Sequence, residues 1–174
     1  MSIDALGHDF AKHAVSARGD RLAGTGGPDL IGGRGGDDRI DGRGGDDELR
    51  GGVGRDRLNG GEGSDRLAGG SGADRYVFAA KPDGGNVDRL VGFEPAEDLI
   101  LLDDAVFPGL PAGGLPARLF NSAGAAETAA QRILYDPGSG LLRYDRDGAG
   151  DVDGVVFAKL ARGLALDAGD FVVI

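Results

Sequence analysis

An aspartate stands at every ninth residue through much of the first half of this chain: Asp29, Asp38, Asp47, Asp56, Asp65 and Asp74. A carboxylate is a hard oxygen donor, and glycines leave backbone carbonyls uncovered. Evenly repeated carboxylates beside glycines therefore form a ligand set for a hard divalent cation, which takes roughly six to eight oxygens. Other chemistries find no support. The chain has no cysteine, which excludes thiolate metal sites, disulfides and a cysteine nucleophile. Its two histidines, His8 and His13, lack the glutamate of an H-E-x-x-H zinc helix. No G-x-S-x-G elbow is present. The leader, residues 1–19, is too short for a catalytic domain. The expectation is a binding module and not an enzyme.

The repeats define the elements that must hold these aspartates. In register from Gly24 they read GTGGPDLIG, GRGGDDRID, GRGGDDELR, GGVGRDRLN, GGEGSDRLA and GGSGADRYV. Glycine is first and fourth in every unit, aspartate is sixth, and the eighth residue is apolar: Ile31, Ile40, Leu49, Leu58, Leu67 and Tyr76. Glycines permit positive φ and tight turning, so the first six residues of each unit are expected to form a loop. The last three read as a very short strand with one buried face. Such strands cannot stand alone and must stack into a solenoid, two units to a coil, with residues 18 apart above one another. Asp29, Asp47 and Asp65 then line one edge, and Asp20, Asp38, Asp56 and Asp74 the other. Each edge is a ladder of like charges that a cation would relieve.

The unit resembles the nonapeptide G-G-x-G-x-D-x-U-x of RTX (repeats-in-toxin) proteins, a calcium-binding pattern. The resemblance covers residues 20–78 and implies an all-β fold: a parallel β-roll solenoid followed by a β-rich C-terminal cap. It implies Ca2+ held between adjacent turns by the side chains of Asp29, Asp38, Asp47, Asp56, Asp65 and Asp74. Backbone carbonyls of the glycine loops would complete the sites: Gly33, Gly35 and Gly36; Gly42, Gly44 and Gly45; Gly51, Gly52, Val53 and Gly54; Gly60, Gly61, Glu62 and Gly63; and Gly69, Gly70 and Gly72. Two departures from the pattern matter, and the first unit, which carries both, is expected to bind weakly or not at all. Thr25, Arg34 and Arg43 replace the second glycine, and Pro28 precedes Asp29.

More than half of the 35 glycines fall in the array, which divides the chain near residue 78. Residues 79–174 contain segments rich in β-formers at Val87–Val91, Asp98–Leu102, Arg132–Tyr135, Leu141–Tyr144, Val155–Lys159 and Phe171–Ile174, with a Pro/Gly-rich loop at Pro108–Pro116. Arg132–Tyr144 reads as a hairpin turning at Asp136–Gly140. A solenoid needs closed ends, and this half is expected to cap it. It is similar to the C-terminal region that follows RTX repeats in bacterial proteins exported by type I secretion. That resemblance implies an uncleaved C-terminal export signal, the type I apparatus as a partner and an extracellular location.

The N-terminus has neither a basic region nor an apolar run, and no stretch is long enough to span a membrane. The net charge of −10 disfavours nucleic acid and favours cations. Asp145 and Asp147, with Asp151 and Asp153, form a second acidic loop. It meets part of the EF-hand pattern, but Val156 stands where the bidentate glutamate belongs. A solvated turn is the plainer account of it. Asp88, Asp98, Asp103 and Asp104 are candidates for a site where roll meets cap. The ten arginines between Arg18 and Arg75 are expected to form weak exposed pairs with neighbouring acids. The alternative function is an accessory module binding a polysaccharide or cell surface for a secreted enzyme such as an alginate epimerase, protease or lipase.

Overall fold

The computed structural model describes residues 17–148 and 154–174. His8, His13, Asp151 and Asp153 lie outside them. Within the array the apolar eighth residues from Ile31 to Leu67 sit between more exposed neighbours, the period-2 signature of a strand buried on one face, and only beside Tyr76 is the next residue, Val77, buried as well. The strands are β1 (Arg21–Ala23), β2 (Leu30–Gly35), β3 (Arg39–Gly44), β4 (Glu48–Val53), β5 (Arg57–Glu62), β6 (Arg66–Ser71) and β7 (Arg75–Phe78). Odd and even strands separate into two sheets. Every pairing in the array is parallel with an 18-residue offset, as in Leu30 with Glu48 and Arg39 with Arg57. Leu22, Ile31, Ile40, Leu49, Leu58, Leu67 and Tyr76 fill the space between the sheets, all 5% exposed or less. Burying one such leucine or isoleucine is worth roughly 1.5–3 kcal/mol.

One expectation is corrected. The strands are not three residues long. β2 to β6 have six residues each, because positions seven to nine continue into positions one to three of the next unit. Glycine there does not break the ladder, since the neighbouring coil supplies parallel partners: Arg34 faces Gly52 and Gly44 faces Glu62. Only positions four to six turn. Position four requires glycine: Gly54 has φ 139°, and a Cβ there would lie 2.3 Å from the Gly36 carbonyl of the coil before.

Beyond the array the two sheets continue. β8 (Asp88–Val91) pairs in parallel with β6, and β9 (Leu99–Leu102) with β7. β10 (Gly113–Gly114), β11 (Phe120–Asn121), β12 (Ile133–Asp136), β13 (Leu141–Tyr144), β14 (Val155–Lys159) and β15 (Phe171–Val173) complete them. The hairpin is present as antiparallel β12 and β13. β14 lies parallel to β8, and β15 lies parallel to β9. No α-helix occurs among the described residues, and none is long and apolar enough to cross a membrane. Phe78, Phe107, Tyr144 and Phe157 pack edge to face over the last coils, with ring centroids 5.1 to 5.2 Å apart.

The arginines depart from expectation. Glu48 pairs with Arg50 at 2.6 Å and Arg66 at 3.4 Å, but Arg21, Arg39, Arg57 and Arg75 have no such acid among the described residues.

Candidate metal centre

The turn at positions four to six carries each aspartate across the end of the roll and folds its side chain inward. Asp29, Asp38, Asp47, Asp56, Asp65 and Asp74 are 1 to 4% exposed. One carboxylate oxygen is used by the fold. Oδ1 of Asp38 accepts the N–H of Asp20 at 2.7 Å, one coil earlier. The same bond links Asp29 to Asp47, Asp38 to Asp56, Asp47 to Asp65 and Asp56 to Asp74, at 2.7 to 2.9 Å. The aspartates thus form two hydrogen-bonded columns, one along each edge.

The second oxygen is left over. Oδ2 of Asp38, Asp47, Asp56, Asp65 and Asp74 is buried without a hydrogen-bond partner. A buried unpaired carboxylate oxygen is costly. Burial pushes the Asp47 carboxyl up to about 7, and those of Asp56, Asp65 and Asp74 up to about 6. The Asp38 carboxyl is raised for the same reason.

The first glycine of each loop shows where these oxygens point. A Cβ on Gly33 would meet Asp38 Oδ2 at 2.0 Å and the Gly51 carbonyl of the next coil at 2.7 Å. On Gly42 it would meet Asp47 Oδ2 at 2.2 Å and the Gly60 carbonyl at 2.5 Å. On Gly51 it would meet Asp56 Oδ2 at 2.2 Å and the Gly69 carbonyl at 2.6 Å. At these three levels a charged oxygen and a carbonyl from successive coils converge with no donor between them. Among the described residues no three acidic or histidine side chains cluster, so each level offers one carboxylate with carbonyls. That donor set suits Ca2+, which accepts backbone oxygens in flexible geometry.

The remaining candidate residues fall around these levels. Gly52, Gly61 and Gly70 lie over the second-position carbonyls of Arg34, Arg43 and Gly52. Gly35 faces Val53, and Gly44 faces Glu62, at the strand ends. The Val53 carbonyl accepts the Gly36 N–H at 2.9 Å. Gly36, Gly45, Gly54, Gly63 and Gly72 all turn with positive φ.

The ends differ from the middle. At the first loop the Thr25 N–H and Oγ1 donate to Asp29 Oδ2 at 2.6 and 3.0 Å, supplying from the chain what the later loops lack. At the far end, the atoms nearest the Cβ positions of Gly60 and Gly69 belong only to Asp65 and Asp74. There the Asn86 side-chain amide donates to the Gly61 carbonyl at 3.1 Å.

Asp88 and Asp98 join the two columns, accepting the N–H groups of Asp65 and Asp74 at 3.1 and 2.9 Å. Burial, and then Asp65, pushes Asp88 up to about 8. The sequence carried a signal for both: in Asp88-Arg89-Leu90 and Asp98-Leu99-Ile100 an aspartate precedes an apolar residue by two, as in every repeat, but without the glycine frame. Asp103 and Asp104 lie in the turn after β9 and stay apart from the columns, with Asp103 accepting the Ala105 N–H at 3.0 Å. Asp145 Oδ1 accepts the Asp147 and Gly148 N–H groups at 3.2 and 3.0 Å, the pattern of a self-capped acidic turn.

These two columns, strung on a parallel two-sheet coil, define a calcium-type repeat β-roll. Residues 16–49 and 41–76 match the family model described as RTX calcium-binding nonapeptide repeat (4 copies), and this part of the chain is an RTX array. The solved structure of the AlgE6R2 subunit of the Azotobacter vinelandii mannuronan C5-epimerase is similar over 86% of this chain and 90% of that one, with 27% identity and a TM-score of 0.55. The AlgE6R3 subunit of the same enzyme aligns over 91% of this chain and 81% of that one, at 28% identity and a TM-score of 0.31. No curated protein matches the chain.

Proposed function

We propose that this chain is a non-catalytic module that folds on binding extracellular Ca2+. The ions sit between successive coils, held by the sixth-position aspartates and the carbonyls of the glycine loops. The observation that carries the reading is the row of buried, unpartnered Oδ2 atoms, one at each of five successive aspartates from Asp38 to Asp74. A dication removes their mutual repulsion and their missing partners together. The levels at Asp38, Asp47 and Asp56 bind first, since there a next-coil carbonyl shares the position with an Oδ2 atom that has no partner of its own. The Asp29 loop stays empty, because Thr25 already bonds the Oδ2 atom that the later loops leave free.

Residues 20–78 are then the calcium roll, and 79–174 the cap carrying a type I secretion signal. Calcium is scarce in the cytosol. Sites with dissociation constants of roughly 10⁻⁴ to 10⁻³ M, the range of extracellular modules, would leave the chain unfolded and threadable until export. Calorimetric titration of the chelated chain tests the assignment. A calcium isotherm with more than one site, and none with magnesium, is expected. Equal binding of both metals, or none of either, would overturn it.

A second reading, an accessory polysaccharide-binding module, is favoured by the likeness to a subunit of a mannuronan-modifying enzyme.

A further inference from the structure

The sheet of β1, β3, β5 and β7 presents a row of arginines on its outer face. Arg21 pairs in register with Arg39, Arg39 with Arg57, and Arg57 with Arg75. Four guanidinium side chains therefore leave four adjacent strands on the same side. Strands lie about 4.8 Å apart, so the row runs about 14 Å along the roll axis. Like charges at facing positions repel. No carboxylate among the described residues lies within ion-pair distance of any of the four. The one acid in the neighbouring row, Asp41, already accepts the Asn59 side-chain amide at 3.3 Å.

The repeat does not require this arrangement. On the opposite sheet the equivalent row is Leu30, Glu48, Arg66 and Arg89, where Glu48 holds Arg50 and Arg66. The charged stripe thus belongs to one face of a molecule whose net charge is −10. Self-repulsion of this kind destabilises the fold unless a ligand uses it.

We propose that this face binds a linear carboxylated polysaccharide laid along the roll axis, with successive uronate carboxylates on successive arginines. Guanidinium forks take carboxylates bidentately, which favours Arg over Lys at such positions. A strand ladder repeats at a pitch close to the length of one sugar ring. Nucleic acid fits less well: the row has no aromatic side chain on which bases could stack, and the overall charge repels phosphate chains. The inference rests on the second reading above and gives it a surface.

The test is calorimetric titration of the calcium-loaded full chain with short mannuronate oligomers. Arg39→Gln with Arg57→Gln is compared with Arg50→Gln and Arg66→Gln, which remove the same charge from the other sheet. Circular dichroism of each variant in calcium checks that the roll is intact. Loss of the ladder arginines is expected to weaken binding about tenfold or more and to flatten its salt dependence, while the control pair changes it less than about twofold. Equal weakening by both pairs would show a general field effect and overturn the surface. Unchanged binding by the ladder variant would place the oligomer elsewhere, leaving the second reading intact and this inference wrong. No binding by the unaltered chain would remove both. Tighter binding of dextran sulfate, which has no carboxylate, or of single-stranded DNA than of mannuronate would overturn the ligand class.

Discussion

The array and the C-terminal half share the same two sheets but close their interiors by different means. In the array each nine-residue unit contributes one buried apolar side chain and one buried carboxylate, and the free oxygens of Asp38 to Asp74 have nothing to bond. In the C-terminal half Phe107, Tyr144 and Phe157 make a clustered aromatic core that takes in Phe78 at the end of the array. Its buried acids outside the columns are served by its own backbone: Asp145 by Asp147 and Gly148, and Asp170 by Asp167. The carboxylates of one region are met by its own chain, and those of the other keep one oxygen each without a partner. The contrast teaches that a repeat can be highly regular and still not be self-sufficient, because regularity multiplies whatever polar debt one unit carries.

The largest effect separates the two halves by variant and metal. Phe157→Ala should cost about 3–5 kcal/mol, since the ring is buried at 2% exposure. The loss should appear at every calcium concentration in thermal melts. A loss confined to chelated samples would break the comparison.

Next in size is Asp56→Asn, which keeps an acceptor for the Asp38 N–H but removes the charge facing Gly69. Calcium affinity should fall about tenfold, about 1.4 kcal/mol, in a titration followed by calorimetry. In chelator the variant should melt no lower than the parent, because the deleted charge is buried and unpaired there. Equal destabilisation with and without calcium would mean that the carboxylate serves the fold alone.

The pH dependence sharpens the same point. Burial raises the Asp47 carboxyl to about 7 and those of Asp56, Asp65 and Asp74 to about 6, against roughly 3.9 in an unfolded chain. The folded, metal-free roll therefore holds protons that the unfolded chain releases. This contribution to stability is complete below about pH 4 and is lost as pH rises through 6 to 7. Melting temperature in chelator should fall from about pH 5 to about pH 7.5. In saturating calcium the slope should reverse, since protons then compete with the metal. Parallel slopes in both conditions would contradict the metal assignment.

Smallest is Arg43→Gly. Arg43 holds φ 77° where later units have glycine. Releasing that strain should stabilise the chain by about 1 kcal/mol, part of it offset by backbone entropy. A lower melting temperature for the variant would show that the side chain is used.

Much of the array was legible in the sequence because four positions recur in six units, and stacking follows from repetition. The 18-residue register, the two aspartate columns and the apolar core all follow from the period. Strand length did not, since glycine reads as a breaker until a neighbouring coil is there to pair with it. Asp88 and Asp98 were visible only as loose candidates, because insertions before them shift the register from 18 to 23 and 24 residues. The role of Thr25 was legible only as a departure from the pattern; that it bonds Asp29 needed the loop's geometry. The arginine row escaped a reading in one dimension altogether: neighbouring acids look like partners along the chain, yet residues 18 apart are the real neighbours.

Far-ultraviolet circular dichroism of the full chain, titrated with calcium from a chelated start and with magnesium as control, tests the central claim most directly. A cooperative gain of β-signal with calcium alone is the expected result. Full β-structure in chelator, with spectrum and melting temperature unmoved by calcium, would contradict it.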